Sequence, residues 1–149
     1  MRLRRGGRDR GTISIFVALT ATPMMLFIGI TMDCGGQLRA TEQVDARAQE
    51  AARIGGQQVD EGALLAGKGY WINTGDALRA AGDYLAPFGL TASWPDPKNP
   101  PPDLAPSITI VVNGSYDTAL LAIFDTPTLP VRGSATATLA DDEKKAGGA

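Results

Sequence analysis

The sequence has no histidine and a single cysteine, Cys34, among its 149 residues. Histidine is the commonest metal ligand and the side chain that titrates near neutral pH. Its absence therefore excludes histidine-based catalytic triads and the usual zinc hydrolases. One cysteine cannot form a disulfide within the chain. The Cys34 thiol is therefore expected either to be a buried or interfacial group or to pair with the same residue of an adjacent copy.

Positive charge is concentrated at the N-terminus, and the rest of the chain has an excess of negative charge. Residues 1–11 have a local charge of +4, whereas residues 12–149 have a charge of −6. The positive charge of this leader comes from five arginines: Arg2, Arg4, Arg5, Arg8 and Arg10. The 21 residues 12–32 have no charged side chain. As a helix they would be about 31 Å long, close to the thickness of a bilayer's hydrocarbon core.

These features predict a single-pass protein of the cell membrane. The positive-inside rule places the N-terminus in the cytoplasm and the C-terminal domain outside. The predicted organisation is a basic leader (1–11), a transmembrane helix (12–32) kinked at Pro23, an exported domain (33–140) and a disordered tail (141–149). The alternative of a cleaved secretory signal is disfavoured because its apolar region would be shorter, about 7 to 15 residues. Topology and anionic lipid explain the arginines, so the lipid bilayer is the expected partner and nucleic acid is not.

An amphipathic helix is predicted from Arg39 to Asp60, after a flexible joint at Gly35 and Gly36. One face of this helix has small and apolar residues at steps of three and four. This small-residue stripe comprises Thr41, Val44, Ala48, Ala51, Ala52, Gly55 and Val59. Such a stripe allows close packing, either within the core of the domain or against neighbouring copies in an assembly.

The rest of the exported domain is predicted to contain a second helix and two strands. The helix is expected to begin with Asn73 or Thr74 as N-cap and to end before Pro87. A proline-rich connector, residues 94–106, is expected to be neither helix nor strand. Residues 107–116 and 128–139 predict antiparallel strands, with residues 118–124 as a helical turn or a membrane-proximal patch between them. Tyr70 and Trp71 are expected in the core, with the membrane interface as the alternative. The fold class is therefore α+β.

Acidic residues are scattered along the chain and match no catalytic or metal-binding motif. A P-loop, a GxGxxG unit, a CxxC pair and a GxSxG elbow are all missing from the sequence. Solvated surface is the expected place of the carboxylates, which include Asp33, Asp60, Glu61, Asp76 and Asp83. The sequence thus predicts a protein without enzymatic activity, cofactor or metal.

Nearly the whole chain resembles the TadE/TadG-like family of tight-adherence (Flp) pilus-assembly systems, especially its high-GC Gram-positive branch. The most specific motifs lie in residues 8–60. The resemblance begins with Arg8-Asp9-Arg10-Gly11-Thr12-Ile13-Ser14-Ile15-Phe16 and an apolar helix. It continues through Asp33 and Leu38-Arg39-Ala40 into Gln49-Glu50-Ala51-Ala52-Arg53. Its C-terminal counterpart is Gly133-Ser134-Ala135-Thr136-Ala137-Thr138, which is similar to the small-residue strands of family members.

This resemblance implies a non-enzymatic pilin-like component of a pilus or secretion apparatus. Its partners would be other pilus-assembly or pilin-like proteins, including further copies of the same chain. A prepilin peptidase would cleave between Gly11 and Thr12. Prepilin-like relatives have a glutamate five residues after the cleavage glycine, where this sequence has Phe16. A stand-alone membrane-tethered extracytoplasmic binding domain is the alternative function.

Overall fold

The computed structural model describes the backbone of residues 9–139 and the side chains of residues 13–139. Residues 1–8 and the predicted tail, residues 141–149, lie outside this range, as do the side chains of Arg10 and Thr12. The described elements make an α+β protein that contains one very long helix, short helices and small antiparallel sheets.

The long helix, α1, runs without interruption from Asp9 to Gly56 and has 48 residues. It is therefore about 72 Å long. The flexible joint predicted at Gly35 and Gly36 is wrong, because glycine permits a break without requiring one. The side chain of Tyr116 lies directly against Gly36, so the domain packs on the helix where the joint was expected.

Pro23 lies inside α1, and the helix continues through it. Proline has no N–H to donate to the carbonyl four residues earlier, so it weakens the helix locally. Two threonine hydroxyls of the preceding turn donate to backbone carbonyls: Thr20 Oγ1 to Phe16 at 3.0 Å and Thr22 Oγ1 to Ala18 at 2.8 Å. Polar side chains of an apolar helix thus find partners within that helix.

The second predicted helix is α3, Thr74–Leu85, which follows a short helix α2, Glu61–Leu65. The predicted N-cap of α3 is confirmed, because Asn73 Oδ1 accepts a hydrogen bond from the Asp76 N–H at 3.1 Å. α3 ends at Leu85 and is followed by a 3₁₀ turn, Ala86–Phe88, which contains Pro87 and is capped by Gly89. The sequence did not predict α2, whose five residues are too few to show helical periodicity.

The main sheet has three antiparallel strands in the order β2-β4-β5. They are β2, Thr91–Ser93; β4, Ser107–Asp117; and β5, Thr128–Thr138. The two long strands pair from Ser107↔Thr138 to Asp117↔Thr128, which confirms the predicted antiparallel pair. A second sheet joins β1, Ile72–Asn73, to β3, Leu104–Ala105. The prediction that the proline-rich connector contains no strand is therefore wrong, because β3 lies between Pro102 and Pro106 and includes neither proline.

The core lies between the C-terminal half of α1, α3 and the inner face of β4. Large buried residues of β4, such as Ile110 and Val112, are paired with Ala135 and Gly133 of β5. These small residues allow α1 to approach β5 closely: a Cβ at Gly133 would lie 2.8 Å from the backbone nitrogen of Asp45. A bulkier side chain at this crossing would push the helix away from the sheet.

Arg47 joins α1 to the end of α3. Its guanidinium lies 3.8 Å from the centre of the Phe88 ring and donates a hydrogen bond to Tyr84 Oη at 2.9 Å. The core position expected for Tyr70 is wrong, because 60% of this residue is exposed. Trp71 is half-buried, and its indole N–H donates to the Lys68 carbonyl.

Candidate functional site

The N-terminal half of α1, residues 13–32, exposes nearly all of its apolar side chains. Leu19 is 74% exposed and Phe27 72%, and none of the most apolar 18-residue stretch is buried. The helix is long and apolar enough to cross a membrane. We refer to residues 13–32 as the apolar half of α1.

Asp33 follows the apolar half directly and is fully buried. Both of its carboxylate oxygens accept hydrogen bonds from the loop between β4 and β5, residues 118–127, which we call the hairpin loop. Asp33 Oδ1 accepts from the N–H of Ala119 at 2.7 Å. Asp33 Oδ2 accepts from the N–H groups of Leu120 at 2.9 Å and Leu121 at 2.8 Å. One carboxylate of α1 therefore holds three consecutive backbone groups of a loop more than 80 residues later.

These three N–H groups stand at the beginning of a 3₁₀ helix, Leu121–Phe124, where no side chain of the loop caps the helix. The first N–H groups of a helix have no partner within it, and a carboxylate is a favourable acceptor for them. The bonds from Ala119, Leu121 and Leu120 lower the pKa of Asp33 below its usual value of 3.8, against the opposing effect of burial. Asp33 thus caps this turn as an anion from another element of the fold.

Two glycines of α1 flank Asp33 and let the β4–β5 hairpin lie directly on the helix. A Cβ at Gly29 would overlap the side chain of Leu120, and a Cβ at Gly36 would overlap the ring of Tyr116. Gly29, Asp33 and Gly36 are spaced by four and three residues, so they share one face of α1. The hairpin loop therefore contacts the last turn of the apolar half.

The turn of the hairpin loop exposes two large apolar side chains. Ile123 is 75% exposed and Phe124 is 57% exposed. They follow Leu121, the last of the three residues bound to Asp33, by two and three positions. The loop is thus fixed to the helix on one side and presents an apolar surface, Ile123 and Phe124, elsewhere.

The predicted packing residues Val44, Ala48, Ala51, Ala52 and Gly55 are all buried in the core of the domain. Gly55 is close to Ile108 and Ala77, so the stripe contacts both β4 and α3. Among the other expected functional residues, Gly11 lies within α1 and the leader arginines Arg2, Arg4, Arg5 and Arg8 lie outside the described residues. Cys34 is exposed, so of the environments expected for its thiol the buried one is wrong, while an interfacial thiol and a disulfide to another copy stay predictions.

The acidic residues considered in the sequence analysis have separate places in the structure. Asp60 caps α2 through the Ala63 N–H, and Asp76 pairs with Arg79 on the surface of α3. Within residues 13–139, no group of three or more Cys, Asp or Glu residues is placed to hold a metal ion.

The expectation that Asp33 is a solvated surface group is wrong. Its partners are backbone groups 86 to 88 residues away, so no local motif signals them. One feature of the sequence does indicate that Asp33 is buried, namely the periodicity of small residues along α1. The small-residue stripe continues towards the N-terminus through Ala40, Gly36, Asp33 and Gly29 at the same steps of three and four. An aspartate within such a packed stripe is expected to be buried and to need hydrogen-bond donors.

The fold combines an N-terminal helix that is long and apolar enough to span a membrane with an α+β domain built on the same helix. No family model matches the chain, and neither the curated proteins nor the solved structures include a match.

Proposed function

We propose that the protein is a membrane-anchored, pilin-like accessory component of a Tad/Flp-type pilus or secretion apparatus and acts through protein–protein contacts. The family resemblance of residues 8–60 and 133–138 suggests the apparatus. The observation that carries the membrane-anchored part is α1 itself, whose exposed apolar half continues without a break into the core of the domain.

A continuous helix has a mechanical consequence for such a component. Because α1 passes from the anchor into the core, movement of the domain is transmitted directly to the segment in the membrane. A stand-alone binding domain needs only a tether, and a flexible linker would serve it as well. The rigid connection, further fixed by Asp33, therefore favours a part of an assembly whose orientation relative to the membrane matters.

The contact surface for partners has to lie outside the small-residue stripe, because the core of the domain already covers that stripe. The opposite face of α1 is solvent-exposed and includes Arg39, Gln43, Ala46 and Arg53. Arg53 is paired with Glu50, which leaves Arg39 and the polar side chain of Gln43 for contacts. We propose this exposed face of α1 as the surface that binds other assembly proteins or a second copy.

The orientation proposed for the protein is N-terminus in the cytoplasm and domain outside. It rests on the positive leader, Arg2 to Arg10, and on the uncharged run that follows it. The bilayer centre disfavours charged residues, and cytoplasmic flanks of spanning helices are enriched in arginine and lysine.

Photo-crosslinking in native membranes tests this function. A photoreactive amino acid at Ala46 should form an adduct with a pilus-assembly protein or with a second copy, identified by mass spectrometry. The same group at Lys98, in an exposed loop outside α1, is the matched control and should not form that adduct. Deletion of the gene should also abolish surface filaments or secretion, and the intact gene should restore them.

The opposite results would support the alternative, a membrane-tethered binding domain. In that case filaments would be unchanged by the deletion. The Ala46 probe would then give no adduct beyond those formed at Lys98.

A further inference from the structure

We propose that the hairpin loop is a second membrane contact, in which Ile123 and Phe124 insert into the outer interfacial layer of the bilayer beside the anchor. This inference rests on the membrane anchoring proposed above for the apolar half of α1. It adds a lipid-binding site to that function, because the domain would then contact lipid through the hairpin loop as well as through α1.

The position of the loop along α1 is the first argument. Leu120 lies over Gly29, four residues before the first charged residue after the apolar run, Asp33. Four residues of helix correspond to about 6 Å. A loop that contacts Gly29 therefore reaches about one helical turn into the level of the uncharged segment. This depth is within the roughly 5–10 Å at which interfacial apolar groups are buried in membranes.

The backbone of the loop is the second argument. Irregular backbone can enter an apolar layer only if its polar groups have partners. Asp33 accepts the N–H groups of Ala119, Leu120 and Leu121. The remaining turn is closed by the Ile123 N–H to the Leu120 carbonyl at 3.0 Å and the Thr126 N–H to the Leu121 carbonyl at 3.0 Å.

The base of the loop is closed in the same way. Thr118 donates its N–H to the Pro127 carbonyl at 2.9 Å and its hydroxyl to the Thr126 carbonyl at 2.6 Å. The hairpin loop is therefore a compact turn whose N–H groups at 118–121, 123 and 126 are all bonded within the protein, and whose exposed side chains are largely apolar.

The charge of the loop distinguishes apolar insertion from electrostatic attraction to lipid headgroups. The ten residues of the hairpin loop contain no lysine or arginine and one acidic residue, Asp125. The loop therefore has no attraction for anionic headgroups, and insertion depends on the apolar side chains alone. Binding to a zwitterionic bilayer should thus suffice, and added salt should not reverse it.

The test uses the full chain with Cys34→Ser and one new cysteine that carries an environment-sensitive fluorophore. The protein is reconstituted into phosphatidylcholine vesicles, and quenching is measured with shallow nitroxide-labelled lipids and with aqueous iodide. The probe replaces Ile123 in the loop. Leu65, which is 88% exposed and follows the far end of α1, gives the matched control. A probe at Leu19 reports on the anchor.

We expect the Ile123 probe to have blue-shifted emission, strong quenching by the shallow nitroxide lipid and weak quenching by iodide. The Leu65 probe should show the reverse. Phe124→Asp in the Ile123-labelled protein should remove the blue shift, because a charged side chain opposes insertion, and this checks that the fluorophore does not itself drive the loop into lipid.

The three probe sites separate the two proposals. Lipid quenching at Leu19 together with an Ile123 probe that behaves like Leu65 would overturn the loop contact and leave the anchor intact. Loss of lipid quenching at Leu19 would overturn the anchor and, with it, the basis of the loop contact. Equal lipid quenching at Ile123 and Leu65 would also overturn the inference, since contact would not be specific to the loop.

Discussion

Asp33 links the end of the apolar half of α1 to a loop that is distant in sequence. Its carboxylate satisfies three N–H groups that have no other acceptor among the described hydrogen bonds. A buried carboxylate is expensive unless it is hydrogen-bonded in this way. The residue is thus explained by the packing of the hairpin loop and needs no catalytic role.

Asp33→Asn should release the hairpin loop from α1 without unfolding the core. The amide presents donor hydrogens where the carboxylate has an acceptor oxygen, so at least one loop N–H loses its partner. Hydrogen exchange at residues 119–121 should accelerate by about tenfold or more, while exchange in β4 should stay unchanged. Asp125→Asn is the control, because Asp125 is exposed in the same loop and asparagine tolerates its positive φ of 61°. Equal acceleration in both variants would show that Asp33 has no special role.

The lowered pKa of Asp33 predicts how the stability of the protein depends on pH. The carboxyl has a lower pKa when folded than its usual 3.8, so it stabilises the fold above that pH and stops doing so as the pH falls through the lowered value. The difference in melting temperature between the wild type and Asp33→Asn should be constant from neutral pH to about pH 5 and should shrink below 3.8.

Among residues 13–139, Glu50 is the other carboxyl whose pKa is lowered, through its hydrogen bond with Arg53. It is present in both proteins, so its contribution cancels in the comparison. A difference in melting temperature that persists unchanged in acid would contradict the assignment of Asp33 as a buried anion.

Among the elements, most of α1 is predictable from the sequence, but its continuity is not. Its apolar half follows from the length of the uncharged run, and its small-residue stripe follows from periodicity. The helix α3 and the long pair β4–β5 also have local signals in the sequence. The short strands β1, β2 and β3 and the helix α2 have two to five residues each, and their structure depends on partners remote in sequence. The continuity of α1 through Gly35 and Gly36 also depends on tertiary contacts that no local pattern encodes.

The two faces of the C-terminal half of α1 should respond differently to substitution. Ala48 is fully buried, so Ala48→Phe should destabilise the domain by about 1–3 kcal/mol through overpacking. Gln43→Ala, on the exposed face, should cost less than about 0.5 kcal/mol. Chemical unfolding of the full chain in detergent micelles measures both values. Equal tolerance at the two positions would contradict the packing of α1 on the sheet.

The described fold is built on one helix, α1, whose two halves have different surroundings. Its apolar half is exposed, and one face of its C-terminal half is covered by α3 and the sheet. Asp33, Gly29 and Gly36 lie where these halves meet, so the domain begins to pack on the helix before the uncharged run has ended. The two halves are predictable from the sequence, but this overlap is not, because Leu120 and Tyr116 are at least 80 residues away along the chain.

We propose above that the apolar half of α1 crosses a membrane with the domain on the outer side. The most direct measurement is a topology assay with alkaline phosphatase, which is active only outside the cytoplasm, fused after Ala149. With this orientation we expect an active phosphatase fusion and an inactive β-galactosidase fusion at the same junction. Replacement of the five leader arginines by uncharged residues should mix the two orientations. An inactive phosphatase together with an active β-galactosidase would show the domain to be cytoplasmic and would contradict the account.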